Sequence, residues 1–241
     1  MAIGLRSQPI TKGNGMTITL ITGANKGIGY ETARQLVEAG HTVYVGARNV
    51  ERGETAASEL GAAFVQLDVT DDASVAAAIK TVEDAEGHLD VLVNNAGVGL
   101  PALNGPEALM VFDTNAVGIV RVTEAALPLL RKSENPVVVN ISSALGSFSA
   151  VTNPGHPASH VPAIVYAASK AAASMLTLQY AKAVPEVKFN AVDPGPTATD
   201  LTAGRGGRPV EESARVVVRM ATIGAHGPSG TFQVDTGPLP W

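Results

Sequence analysis

Cysteine is absent from this 241-residue chain. Disulfide scaffolds and thiolate metal sites are therefore excluded, a composition that suits a reducing compartment. Aromatic residues are few, 4% of the total with a single tryptophan. Positive charge is in deficit: 17 Lys and Arg stand against 22 Asp and Glu, a formal net charge of −5. With no Lys/Arg-rich run and no basic stripe bearing aromatics, the footprint of a nucleic-acid binder is missing. Long apolar runs are missing too. Each is strand-length or broken by Gly, Pro or a charge, so no membrane-spanning helix is expected. Residues 1–15 lack the apolar core of a signal peptide and read as a mobile extension ahead of Met16. The expectation is a cytoplasmic protein with neither membrane nor nucleic acid as partner.

What is present is enough apolar content, 45%, to bury one substantial core. Residues 16–241 read as a single domain. Short β-branched runs at 16–22, 42–47, 63–67, 89–93, 136–142, 187–192 and 231–234 predict strands. Helical patterns fall between them, at about 28–39, 50–60, 71–85, 106–130, 166–184 and 210–223. Pro128 is expected to kink the fourth of these near its end. The strands are nearly all apolar rather than alternating, as in a parallel sheet covered on both faces. The fold class is therefore α/β, a doubly wound parallel sheet with helices on both faces. Such sheets bind ligands beyond the carboxyl ends of their strands, and every motif below falls there.

The first such end carries Thr22-Gly23-Ala24-Asn25-Lys26-Gly27-Ile28-Gly29. Glycines there permit a tight turn and bring backbone N–H groups at a helix N-terminus onto a pyrophosphate. A Gly-rich turn alone is common; at the first strand-to-helix junction of a βαβ unit it predicts a dinucleotide. The second strand runs out in Val45-Gly46-Ala47-Arg48-Asn49 without the acid that would grip a free ribose 2′-hydroxyl. Arg48 suits a 2′-phosphate, and Lys26 is placed to reach the same group. The cofactor expected is NADP(H). Asp68 and Val69, after the third strand, fall where an adenine edge would lie.

Tyr166 and Lys170 stand four residues apart, one helical turn on the same face. A free phenol titrates near about 10, and a neighbouring cation is expected to pull it down toward a working range. Tyr-x-x-x-Lys by itself also arises on any solvated helix face.

The ordered set of residues 22–29, Asn94-Asn95-Ala96-Gly97, Ser143, Tyr166 and Lys170 resembles the short-chain dehydrogenase/reductase family from Met16 almost to Trp241. The pairing of Lys26 with Arg48 resembles its NADPH-preferring carbonyl reductases. The resemblance implies a seven-stranded Rossmann-type sheet and interconversion of carbonyls and alcohols. It implies Tyr166 as the acid/base, Lys170 as a cofactor-ribose ligand, Ser143 as the substrate-oxygen ligand and Asn115 as support for a water relay. Gly23, Asn25, Lys26, Gly27, Ile28, Gly29, Arg48, Asp68, Val69, Asn95, Ala96 and Gly97 would hold the dinucleotide, with Asn94 bracing central strands. Pro194, Gly195, Thr197 and Thr199 would line its nicotinamide, Thr199 on the carboxamide. A mid-helix Asn such as Asn115 is also a common backbone-bonding residue, and Ser143 a common turn cap. Adjacent Ser142 is the rival for the Ser143 role.

Two segments depart from the pattern. Ser143 and Tyr166 lie 23 positions apart, longer than the family's usual connection, and residues 148–164 read as a proline-stiffened wall of the substrate pocket. His156 and His160 within it are separated by Pro157, which argues against a helical metal pair; no metal is expected. Residues 197–210 carry Gly204, Gly206 and Gly207 and read as a mobile lid, from which Arg205 or Arg208 would meet an anionic substrate. Two alternatives remain, an NAD-linked alcohol dehydrogenase and a non-catalytic NADP(H)-sensing regulator. The substrate is otherwise a small carbonyl or alcohol, and monomer or homo-oligomer stays undecided.

Overall fold

Short runs, rich in β-branched residues and buried on both faces at the centre of the sheet, build the strands β1 (Ile18–Thr22), β2 (Thr42–Ala47), β3 (Ala63–Gln66), β4 (Val91–Asn94), β5 (Val137–Ile141), β6 (Lys188–Val192) and β7 (Thr231–Val234). They are seen in a computed structural model that describes residues 16–99, 104–202, 204 and 207–241. The extension 1–15 and Arg205 lie outside the described residues. The strands form one sheet in the order β3-β2-β1-β4-β5-β6-β7, parallel throughout. Strand order reverses between β1 and β4, the crevice where doubly wound sheets take ligands. An eighth strand, β8 (Gly237–Pro238), pairs antiparallel with β7 and corrects the expected count of seven. Gly237, at φ 130°, turns the chain back onto the sheet edge.

Helices α1 (Gly27–Glu38), α2 (Val50–Leu60), α3 (Asp72–Glu86), α4 (Gly105–Phe112), α5 (Gly118–Leu130), α6 (Phe148–Thr152), α7 (Ile164–Ala183) and α8 (Val210–Ala221) cover the sheet. On one face Ile79 and Val82 of α3 join Val122 and Leu130 of α5 against Leu20, Leu92 and Val138. On the other Leu36 of α1 and Val216 and Val217 of α8 pack on Ile21, Val93 and Val139. The predicted helix over 106–130 is α4 and α5 joined by a π turn, Asp113–Val117; Pro128 lies inside the last turn of α5. Among the described residues no helix is long and apolar enough to cross a membrane.

Side-chain caps separate α1 from the three helices that follow it. Asn49, Asp71 and Asn104 cap α2, α3 and α4 by accepting bonds from first-turn amides. At α1 the cap position is Lys26, whose side chain makes no capping bond. Its leading N–H groups therefore face the end of β1 without a side-chain acceptor.

Candidate active site

The turn between β1 and α1 is built around missing side chains. Gly23 and Gly27 hold φ of 65° and 59°, where a Cβ is costly. A Cβ on Gly29 would sit 2.4 Å from Asn95 Nδ2 and 2.8 Å from the Gly23 carbonyl oxygen. Asn95 fastens the turn: its Nδ2 donates to the carbonyls of Thr22 (2.8 Å) and Gly23 (3.1 Å). The Thr22 hydroxyl in turn accepts from the amides of Asn95 (3.0 Å) and Ala96 (2.9 Å). Asn94, as expected of a brace, donates to Asn140 Oδ1 (2.8 Å) and Thr123 Oγ1 (3.1 Å) inside the sheet. The concave backbone, with Asn25 and Ile28 half-buried in it and bare helix amides behind, fits a pyrophosphate.

Beside this turn Arg48 is exposed at the end of β2. Asp68 and the buried Val69 follow β3. Burial pushes the Asp68 carboxyl up, but bonds from Thr70 and the charges of Arg48 and Arg121 hold it below its ordinary value. Lys26 Nζ pairs with Asp200 at 2.6 Å.

Ser142 and Ser143 end β5 on opposite errands. Ser142 is buried, donating to the Lys170 carbonyl (3.0 Å) and bonded to Ser174 Oγ (2.8 Å). Ser143 faces the Tyr166 phenol, and its hydrogen bonding there favours the phenolate. It also caps the 3₁₀ turn Ala144–Gly146, accepting from Leu145 N at 3.2 Å. Lys170 is buried beneath Tyr166, its Nζ donating to the Ile141 carbonyl at 2.8 Å and standing 5.7 Å from the phenol ring centre. Burial drops the lysine to about 8.

The expected lowering of Tyr166 is overturned. Burial, then the negative charge of Asp193, push the phenol up to about 12 against the pull of Ser143. Desolvation outweighs a lysine whose charge is itself destabilised by burial.

Asn115 lies in the π turn, where its side chain is committed: Oδ1 accepts from Val98 N (2.8 Å), while Nδ2 donates to Val98 O (2.8 Å) and Ser169 Oγ (3.0 Å). A Cβ on Gly97 would be 3.4 Å from Asn115 Oδ1 and 3.5 Å from Lys170 Nζ, so both side chains converge on that glycine.

Beyond β6, Gly195 turns at φ 78°. Thr197 is anchored to Ser213 (2.7 Å), and Thr199 Cγ2 lies 3.4 Å from where a Cβ on Gly27 would sit. The segment therefore reaches back over the Gly-rich turn. Leu201 stands over Gly99, which also borders Tyr166. The Arg208 guanidinium donates to the Pro194 carbonyl (3.3 Å) and lies 3.8 Å from Asp235, anchoring the loop's base beside Gly195.

Residues 148–164 are ordered. They form α6 and a 3₁₀ turn, Pro157–His160, and Ser147 and Ser149 tie them to the carbonyls of Pro240 (2.6 Å) and Trp241 (3.1 Å). His156 Nδ1 accepts from Ala158 N, and His160 Nε2 meets the Pro154 carbonyl. Sequence reasoning missed Asp193, whose carboxylate faces Tyr166 and Lys170. The available signal was an acid directly after a strand at the ligand-binding edge.

The family model for short chain dehydrogenases matches residues 17–208. The chain belongs to the short-chain dehydrogenase family. A short-chain dehydrogenase of Mentha piperita, (−)-isopiperitenone reductase, is 33% identical over 297 residues, covering 88% of this chain and 94% of its own. That alignment is longer than this chain, so the relative carries internal segments that have no counterpart here. The solved structure of salutaridine reductase from Papaver somniferum superposes with TM-score 0.79 at 27% identity, covering 90% of this chain and 99% of that one. The alcohol dehydrogenase of Thermococcus sibiricus, solved with 5-hydroxy-NADP, gives 0.77 at 26% identity over 91% and 96%. The family assignment makes this chain an oxidoreductase that uses a nicotinamide cofactor.

Proposed function

We propose that this short-chain dehydrogenase reduces a ketone, aldehyde or quinone with NADPH and oxidises the corresponding alcohol in reverse. Residues 16–241 act as one catalytic domain, in the cytoplasm. The observation that carries the proposal is the meeting of Ser143 and Tyr166 above a buried Lys170 at the carboxyl edge of the sheet. A nicotinamide bound along Pro194, Gly195, Thr197 and Thr199 supplies the hydride. As a carbonyl carbon accepts it, charge builds on the oxygen, where Ser143 and Tyr166 donate. Tyr166 then gives its proton to that oxygen; the phenol is protonated at neutral pH, and burial makes it a weaker acid than a free phenol without emptying it of its proton. Lys170 would hold the ribose, and Asn115 fixes the loop after β4 at Val98. Gly23, Gly27 and Gly29 would cradle the pyrophosphate, and Asp68 with Val69 would meet the adenine.

Arg48 supports NADPH over NADH. No acid stands at the end of β2, and the Thermococcus sibiricus relative was solved with an NADP derivative. Exposed apolar side chains on the segments flanking Tyr166 support an apolar substrate: Phe148, Val161, Ile164 and Leu201. The two plant relatives named above are reductases, in keeping with this direction.

An initial-rate screen of ketones, aldehydes, quinones and secondary alcohols with NADPH and NADH tests the proposal. Turnover of an apolar ketone with NADPH is expected. Tight NADPH binding without any turnover would favour a non-catalytic regulator. Arg48→Ala should raise the KM for NADPH roughly tenfold to a hundredfold, the loss of a charge-assisted phosphate contact. The KM for NADH should stay unchanged, and an equal rise for both cofactors would remove Arg48 from phosphate selection.

A further inference from the structure

Strand β8 turns back along β7, and the residues after it reach the segment beyond Ser143. Gln233 pairs with Pro238 and Val234 with Gly237. The Arg219 guanidinium of α8 pins the turn between the two strands, donating to the carbonyls of Val234 (2.6 Å) and Asp235 (2.8 Å). Leu239 N donates to the Phe232 carbonyl at 2.8 Å. Trp241 then lays its ring against the buried Phe232, with centroids 5.5 Å apart and planes tilted by 32°.

From this anchorage the chain grips α6. Ser147 is fully buried. Its hydroxyl donates to the Pro240 carbonyl at 2.6 Å and accepts from Ala150 N at 3.0 Å, so donor and acceptor are both used. Ser149 N donates to the Trp241 carbonyl at 3.1 Å. α6 has only five residues, and a helix that short needs tertiary support to persist in water. The bonds to Pro240 and Trp241 provide it.

We infer that residues 237–241 are a strap that holds α6 in place, with Trp241 as a positioning residue for a large apolar substrate of the proposed reaction. The inference rests on the carbonyl-reductase assignment and deepens it to a class of ketone.

The segment after β5 has two ends with different seats. Its near end, the turn Ala144–Gly146 that follows Ser143, lies against α7: a Cβ on Gly146 would stand 2.5 Å from the Lys170 carbonyl carbon. Its far end is α6, which the strap holds and which presents Phe148, 72% exposed. Loosening the strap therefore frees Phe148 and leaves Ser143 beside Tyr166. A small ketone reacting between Ser143 and Tyr166 has no use for Phe148. One with a ring-bearing or long apolar substituent covers it and gains from the surface removed from water. Trp241 then acts on substrate affinity through α6, not on the chemical step.

Hydrogen exchange read by mass spectrometry tests the strap without any turnover. In Trp241→Ala the peptide covering 147–155 should exchange about tenfold faster, while the peptide covering 22–29 stays as in the wild type. Trp241→Phe keeps an aromatic pair and should restore protection. Kinetics tests the use of the strap. Trp241→Ala should raise the KM for a phenyl alkyl ketone about tenfold, with kcat and the KM values for acetone and NADPH within about twofold of wild type. Phe148→Ala should raise the same KM and leave exchange unchanged.

Wild-type exchange over 147–155 in Trp241→Ala overturns the strap. The specificity role is overturned by a KM rise shared by acetone or NADPH, or by an unchanged KM for the phenyl ketone in either alanine variant. If the wild type reduces no carbonyl, the functional assignment fails, while hydrogen exchange still decides the strap. If Trp241→Ala does not fold, Trp241→Leu, which keeps apolar bulk without the ring pair, takes its place in both measurements.

Discussion

Tyr166→Phe is expected to lower carbonyl reduction about a thousandfold, within the range that a single general acid commands. NADPH affinity should change little. The substitution deletes one oxygen and leaves the ring that packs beside Lys170, with Nζ 5.7 Å from its centre. Ser143 remains to polarise the substrate oxygen, but an alkyl hydroxyl is a far weaker acid than a phenol. The phenol, pushed up to about 12 by burial and Asp193, is fully protonated at neutral pH and so starts reduction with its proton in hand. In the oxidation direction the same elevation is a handicap. Wild-type alcohol oxidation should therefore climb with pH across the neutral and mildly alkaline range, while reduction stays flat. Stopped-flow and steady-state absorbance of NADPH give the rate, fluorescence titration gives the affinity, and thermal unfolding checks the fold. Retention of more than about a tenth of wild-type turnover would remove Tyr166 from the acid role.

Gly146→Ala should cost about 2–3 kcal/mol of stability and roughly a hundredfold in kcat, though Gly146 touches neither substrate nor cofactor. A Cβ there would lie 2.5 Å from the Lys170 carbonyl carbon, 2.7 Å from its oxygen and 2.8 Å from Ala171 N. All three are backbone atoms of α7 and cannot swing aside. Ser142 already clamps the same carbonyl from the end of β5. The 3₁₀ turn Ala144–Gly146 must therefore lift off the helix, carrying Ser143 away from Tyr166. Urea unfolding and kcat for a reactive ketone measure the two effects. Gly224→Ala, where a Cβ would meet nothing within 4 Å, is the control and should behave as wild type. A wild-type unfolding curve for Gly146→Ala would refute this account of how Ser143 is held.

The sheet was readable because strands buried on both faces cannot alternate, and seven apolar runs separated by helical periods admit few arrangements. β8 was not readable: two residues, Gly237 and Pro238, carry no strand signal and pair only because the chain turns back on β7. The π turn around Asn115 has no sequence signature either, since it depends on how Asn115 grips Val98 in the loop after β4. Ser143, Tyr166 and Lys170 were found by order and spacing, and the structure brings them together. The ionisation of Tyr166 escaped the same reasoning. Spacing identifies the lysine one turn away, but burial and an acid 27 positions downstream set the sign. Asp193 itself was hidden by its company, because an Asp ahead of Pro-Gly reads as an ordinary turn residue.

The ion pair between Lys26 and Asp200 would give cofactor entry the character of an exchange. The ammonium proposed to meet an incoming phosphate already holds a carboxylate at 2.6 Å, and both partners are exposed, so the pair is weak and reversible. Under the proposed NADPH preference, the 2′-phosphate would have to displace Asp200 from Lys26, whereas NADH would not; salt, which weakens an exposed pair, would ease that displacement.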